Sequence, residues 1–185
     1  AIPFGVEKLP AGMDGFILID SGEPKDTQGV LSAVGKRSRE AIASAAALPG
    51  FDLVRTPVAE FDQISSPLPA ETRRIVRDQL INRDLCQEGL AMLRGSVDRQ
   101  RMGSMLNDEH RILAETLGIS TPRIEKARRV ALDAGALGAK INGSGGGGTL
   151  FAYAPGCEQR ISDALTQAGI RNFIVRPGEG ARMEP

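Results

Sequence analysis

An α+β fold is predicted by three features of this 185-residue chain: a short apolar segment near its start, a long middle tract with helical periodicity, and two strand-like segments separated by a run of glycines. The first segment, Phe16, Ile17, Leu18 and Ile19, is apolar and partly β-branched. It ends in the turn formers Asp20, Ser21, Gly22, Glu23 and Pro24, the mark of a buried strand. From Thr27 to Ala47 helix formers prevail, interrupted by Gly29 and Gly35, until Pro49 and Gly50 close a helix. Pro57, Pro67 and Pro69 limit the stretch from Gly50 to Pro69 to a connector with one short helical turn. Ala70 to Leu93 turns helical again, with Ile75, Leu80, Leu85 and Leu90 among charges, and Gly95 with Ser96 breaks it. A second long helix is predicted from Asp98 to Leu117 on the stripe Met102, Leu106, Leu113 and Leu117, with Gly118 as its cap. The two long helices are expected to lie antiparallel.

After Ser120, Thr121 is a natural N-cap and Pro122 takes the first helical position, where a missing N–H costs nothing. This helix carries Ile124, Ala127, Ala131 and Ala134 on one face and stops at Gly135. Leu137 to Ile141 is then a strand, Gly143 to Gly148 a loop, and Thr149 to Ala154 a second strand favoured by Thr149, Leu150, Phe151 and Tyr153. Glu158 to Ala168 forms a helix ending at Gly169, and Asn172 to Val175 a last strand. The order strand, helix, further helices, strand, strand, helix, strand is the split β-α-β plan of ferredoxin-like folds, with helices inserted in the first crossover. One domain over residues 1–185 is expected.

The 23 basic and 23 acidic residues cancel, so no excess charge points to nucleic acid or an anionic membrane, and neither is expected as a partner. No run of about 18 apolar residues suggests a membrane span. Cys86 and Cys157 lie far apart without metal-ligand spacing, which suits a reducing cytoplasm. The start, Ala1, Ile2, Pro3 and Phe4, reads as the middle of a longer protein, from which a fragment is expected.

The most informative stretch is Lys140, Ile141, Asn142, Gly143, Ser144, Gly145, Gly146, Gly147, Gly148, Thr149. Four consecutive glycines carry a large entropic cost that a simple turn does not require. Glycine admits positive φ and lets main-chain N–H groups approach a ligand or another chain closely. Gly143, Gly145 and Gly148 fit the dinucleotide spacing G-x-G-x-x-G, but that fingerprint opens a helix and a strand follows here. Gly143 and Gly148 also have the outer spacing of a Walker loop, but Thr149 stands in the place of its lysine. A flexible hairpin without a ligand is the competing reading.

The segment Leu106, Asn107, Asp108, Glu109, His110, followed by Leu117, Gly118, Ile119, Ser120, Thr121, Pro122, resembles the helix and entry turn that precede the third motif of the galactokinase, homoserine kinase, mevalonate kinase and phosphomevalonate kinase (GHMP) family. Ala134 to Lys140 leading into Asn142 to Gly148 resembles that third motif. Ile19 to Gly22, with Thr27 and Val34, resembles the first strand and helix of the same lobe in mevalonate kinases. The resemblance implies a two-lobed enzyme that transfers the γ-phosphate of ATP, with Mg2+, to a small metabolite. Its phosphate loop and the groups that position the nucleophile belong to an amino-terminal lobe, so no catalytic residue is expected in this chain, which by itself should be inactive. Gly143 to Gly148, with Ser144 among them, are carried over as the loop facing the cleft, and Asn142, Lys140, Thr27, Asn107 and His110 as possible cleft lining. Partners implied are that amino-terminal lobe and a small-molecule substrate, with a second copy of the chain as a further candidate. Valine at Gly145 or Gly146 is expected to depress turnover more than folding.

Structural readings stand beside these. His110, the only histidine, excludes multi-histidine metal sites and fits a hydrogen-bonded residue on the packing face, with Asn107 one turn earlier. Ser144 has no activating histidine nearby and fits a hydroxyl bonding the loop. Lys140 fits a solvated strand end or a phosphate contact, and Thr27 a helix N-cap. Lys36, Arg37, Arg39, Arg73, Arg74 and Arg77 fit solvated helix faces. Leu117 to Lys140 leans towards mevalonate kinase, whereas Ile141 to Gly148 and the ending with Gly180, Arg182 and Glu184 lean slightly more towards sugar kinases. Ser32 falls where galactokinases place a sugar-touching tyrosine. A non-catalytic metabolite-binding module and a structural dimerisation lobe are the readings from other classes.

Overall fold

The computed structural model describes Glu7, Leu9 and residues 13–25 and 27–178. The start at Ala1 to Phe4 and the ending at Gly180, Arg182 and Glu184 lie outside the described residues. Strand β1 (Phe16–Asp20) leads to helices α1 (Thr27–Ala45), α2 (Val58–Ile64), α3 (Ala70–Arg94) and α4 (Arg99–Arg111). A π-helical turn (Ile112–Thr116) follows, then α5 (Pro122–Asp133), β2 (Gly138–Ile141), β3 (Thr149–Tyr153), α6 (Glu158–Gln167) and β4 (Asn172–Val175). The sheet order is β2-β3-β1-β4 and all three pairings are antiparallel. That order is the ferredoxin-like arrangement, with α1 to α5 between the first two strands.

Alternation decides which face of the sheet is buried. Ile17 and Ile19 of β1, Ala139 and Ile141 of β2, and Leu150 and Ala152 of β3 point to one side. There they meet Ile124, Ala127 and Ala131 of α5 and Ile161 and Leu165 of α6 in a single core. A second core lies among the inserted helices, where Phe61 packs with Ala41, Ala45, Ile75, Val76 and Leu80. α3 and α4 run antiparallel, because Glu88 pairs with Arg101 at 2.6 Å while Asp78, earlier on α3, meets Thr116 beyond the end of α4 at 2.5 Å.

The expected helix from Asp98 to Leu117 is realised in two parts. At the π-helical turn, the Leu117 N–H donates to the Ile112 carbonyl at 3.0 Å. One residue is thereby added to the turn and the following side chains are re-aimed. Ile112 and Thr116 are buried, whereas Leu113 and Leu117 of the expected stripe are half-buried.

Candidate functional site

The glycine ribbon between β2 and β3 is a packed structure. Gly143, Gly145, Gly146, Gly147 and Gly148 all have positive φ, between 68° and 113°, a region in which a Cβ clashes with the backbone. A Cβ on Gly145 would lie 2.5 Å from the Ile119 carbonyl oxygen, and one on Gly147 would lie 2.5 Å from that of Pro24. The Gly146 N–H donates to the Ile119 carbonyl at 2.8 Å and the Gly148 N–H to that of Glu23 at 3.0 Å, while the Gly148 carbonyl accepts from the Ser21 N–H at 2.9 Å. The ribbon is thus wedged between the β1–α1 connection, the start of α1 and the turn before α5. This corrects the expectation for valine at Gly145 or Gly146. The glycines are required by the chain's own backbone and by Val30, so folding suffers first.

The connection that covers the ribbon is itself clamped. The Gly22 N–H donates to Asp20 Oδ1 at 2.9 Å, the Gly22 carbonyl accepts from Arg123 of α5, and Glu23 accepts from the hydroxyl of Thr121. Thr121 is the N-cap of α5, accepting from the Ile124 N–H at 3.2 Å, so one side chain ties that helix start to the loop.

Asn142 and Gly143 form the exposed rim of the ribbon. Lys25 lies across it, its ammonium 3.4 Å from the Asn142 carbonyl and its stem beside Gly148. The Ser144 hydroxyl is buried and has no hydrogen-bond partner among the described residues, which corrects its reading as a hydroxyl that bonds the loop. Buried polar groups are nearly always paired, so this one marks an unfilled requirement of the ribbon.

The remaining candidates fall into a separate network. The Asn107 amide donates to the Leu137 carbonyl at 3.0 Å, and its oxygen accepts from the Ala139 N–H at 3.2 Å and from Arg128 at 2.8 Å. Arg128 also donates to the Ala139 carbonyl at 2.9 Å. These bonds cover the outer edge of β2, which would otherwise present unpaired backbone. Lys140 is neither solvated nor free for a phosphate, since it pairs with Glu109 at 2.8 Å with its side chain 16% exposed. His110 is 2% exposed and its Nε2 meets Glu125 Oε1 at 2.8 Å. Burial pushes its pKa down, against the pull of Glu125. Burial pushes the Glu125 carboxyl up, but hydrogen bonds from Ser120 and His110 outweigh it and hold the carboxyl below its usual value. Neutral His110 donating from Nε2 to a carboxylate satisfies both shifts, and its Nδ1 is then buried without a partner among the described residues.

Thr27 is the first residue of α1 itself, exposed, and one place inside the cap position. Arg37 departs from a solvated face by donating to the carbonyls of Thr116 and Leu117. Among the described residues no group of three or more His, Cys, Asp or Glu could hold a metal ion, and no helix is long and apolar enough to cross a membrane. Sequence reasoning missed Lys25, Glu109, Glu125 and Arg128, each of which acquires its role only from a partner distant in the chain.

With this geometry in hand, comparison decides the family. Residues 92–171 match the family described as GHMP kinases C terminal. The chain carries a GHMP kinase carboxy-terminal domain. A galactokinase of Streptomyces coelicolor is 34% identical over 159 residues, covering 80% of this chain and 41% of that protein. A mevalonate kinase of Thermococcus onnurineus is 33% identical over 133 residues, covering 71% of this chain and 38% of that protein. The chain therefore spans well under half the length of these curated relatives. Among solved structures, Lactococcus lactis galactokinase complexed with galactose superposes with a TM-score of 0.73 at 17% identity, covering 90% of this chain and 46% of that one. L. major mevalonate kinase in complex with R-mevalonate superposes with a TM-score of 0.54 at 20% identity, covering 89% and 43%. These two likenesses speak to the GHMP kinase fold alone.

Proposed function

We propose that this GHMP kinase domain is the carboxy-terminal lobe of an ATP-dependent small-molecule kinase whose acceptor is a sugar hydroxyl. The observation that carries the proposal is the ribbon itself. Its glycines hold a side-chain-free strip of backbone in one shape, with Asn142 and Gly143 exposed at the rim beneath the Lys25 ammonium.

Phosphoryl transfer demands placement and charge stabilisation, with little covalent help from the protein. A rigid rim that lacks a Cβ at Gly143 lets a phosphate chain and an acceptor hydroxyl approach closely there. The amides of Gly146 and Gly148 hold the shape of the ribbon, so its role is that of a preformed wall. The described residues offer no cluster suited to Mg2+. The phosphate loop and the groups that activate the hydroxyl belong, in this reading, to an amino-terminal lobe, and the chain alone is inactive.

Support for a sugar comes from the galactokinase likeness, which extends over 80% of the chain in sequence. Mevalonate is the competing acceptor, favoured by mevalonate kinases that are 38% to 41% identical over shorter stretches. The test is to join this chain to the lobe encoded upstream and measure ATP consumption with galactose, other sugars and mevalonate. Turnover by the joined protein but not by this chain, fastest with a sugar, is expected. Preference for mevalonate would overturn the choice of acceptor, and no consumption with any of them would overturn the kinase reading.

A further inference from the structure

We infer that Lys25 is the cation with which this lobe grips the phosphate chain at the mouth of the glycine ribbon. The inference rests on the kinase reading above and assigns it a residue. Lys25 belongs to the connection between β1 and α1 and is exposed. A Cβ on Gly148 would lie 3.1 Å from its Cδ, and a Cβ on Gly143 would lie 3.1 Å from its Nζ. The end of the side chain therefore crosses the base of the ribbon, where its first and last glycines come together, in a channel that exists because those positions carry no side chain.

At the end of that channel the ammonium meets one protein acceptor, the Asn142 carbonyl, at the long distance of 3.4 Å. An ammonium has three donors, and one weak bond to a neutral oxygen neither satisfies nor neutralises it. Among the described residues no carboxylate pairs with it. The two acids nearest in sequence on the described side are engaged elsewhere, Asp20 by the Gly22 N–H and Glu23 by the Thr121 hydroxyl. Lys140, on the strand below, shows the contrast, with Glu109 at 2.8 Å.

A lysine whose stem is guided by packing and whose charge has no ion partner among the described residues, at an exposed rim, is arranged for an anion with several oxygens. A di- or triphosphate chain has that chemistry. Lys25 donates hydrogen bonds to phosphoryl oxygens and offsets charge that grows on them as phosphate transfers.

The test uses the complete enzyme, this chain joined to its amino-terminal lobe, with variants Lys25→Met, Lys25→Arg and, as a control, Lys126→Met on the exposed side of α5. Turnover and KM for ATP and acceptor are measured, together with tripolyphosphate binding by calorimetry, which does not depend on activity. Lys25→Met is expected to lower kcat by about 10²-fold, the scale of losing one donor to a developing oxyanion. It should also weaken tripolyphosphate binding at least tenfold on the same argument, Lys25→Arg should restore most of both, and the control should change neither. Lys25 is exposed, so all variants should melt with the wild type. Lys25→Met with wild-type turnover overturns the inference while leaving the kinase reading in place. If the wild type consumes no ATP with any acceptor, the kinase reading falls and calorimetry decides Lys25: binding lost in Lys25→Met supports it, and absent or unchanged binding overturns it.

Discussion

Along the outer edge of β2, Asn107 and Arg128 together satisfy the carbonyls of Leu137 and Ala139 and the N–H of Ala139, and Lys140 is neutralised by Glu109. A few residues further along the chain, at the ribbon, the Ser144 hydroxyl is buried and, among the described residues, has no partner, and Lys25 lies 3.4 Å from the Asn142 carbonyl with no ion partner among them. The two regions carry similar residue types and use them in opposite ways. The first closes a sheet edge with the chain's own polar groups. The second holds a rigid backbone rim beneath polar groups that the described residues leave uncompensated. Chemistry-bearing side chains in a sequence therefore do not by themselves mark a site, and the difference lies in whether the fold has already supplied their partners.

The sharpest way to break this comparison is to show that the ribbon is loose. Gly145→Val imposes a Cβ 2.5 Å from the Ile119 carbonyl at a φ of 70°. The left-handed conformation costs about 1–2 kcal/mol for a side-chain-bearing residue and overpacking about 1–3 kcal/mol more. In a domain of this size the melting temperature should fall by about 10 °C, read by circular dichroism. An unchanged midpoint would mean that the ribbon yields and is no wall.

Asn107→Ala tests the other region. It leaves an N–H and a carbonyl on the edge of β2, and part of Arg128, without their partner, which should cost about 2 kcal/mol. The midpoint should drop by about 5 °C, and hydrogen exchange at the Ala139 amide should accelerate. A midpoint within a degree of the wild type would place Asn107 outside the stabilising network.

The smallest effect is a pH dependence carried by His110. Burial lowers its folded pKa, with Arg128 and Lys140 acting in the same direction and Glu125 opposing. Between the folded value and the unfolded one of about 6.5, the unfolded chain binds the additional proton, so stability rises with pH in that window and levels off above it. On lowering the pH from 7.5 to 5.5 the wild type should lose at most about 1.4 kcal/mol per unit below 6.5. His110→Gln should flatten that slope. Glu125, whose pKa is also lowered, contributes in a separate, more acidic window, below its usual value of 4.5. Equal slopes in wild type and variant would remove His110 from the account.

Nearly all of the fold was legible before any coordinates. β1 at Phe16, α5 opening at Thr121 and Pro122, the strand pair about the glycines and the last strand at Asn172 stand where composition and punctuation put them. Those signals are local, since apolar periodicity and the special backbones of glycine and proline act within a few residues. The sequence by itself also pointed to a close backbone contact at Gly143 to Gly148, with a flexible hairpin as the competing reading. Only the tertiary structure decided what that contact is, because a glycine does not encode which carbonyl approaches it, and Ile119, Pro24 and Val30 are brought there by folding. The same holds for His110, Lys140 and Lys25, whose chemistry depends on Glu125, Glu109 and the lack of any ion partner for Lys25 among the described residues. A charge is solvated, neutralised or left available according to what stands within a few ångströms, and that distance is a property of the packed chain.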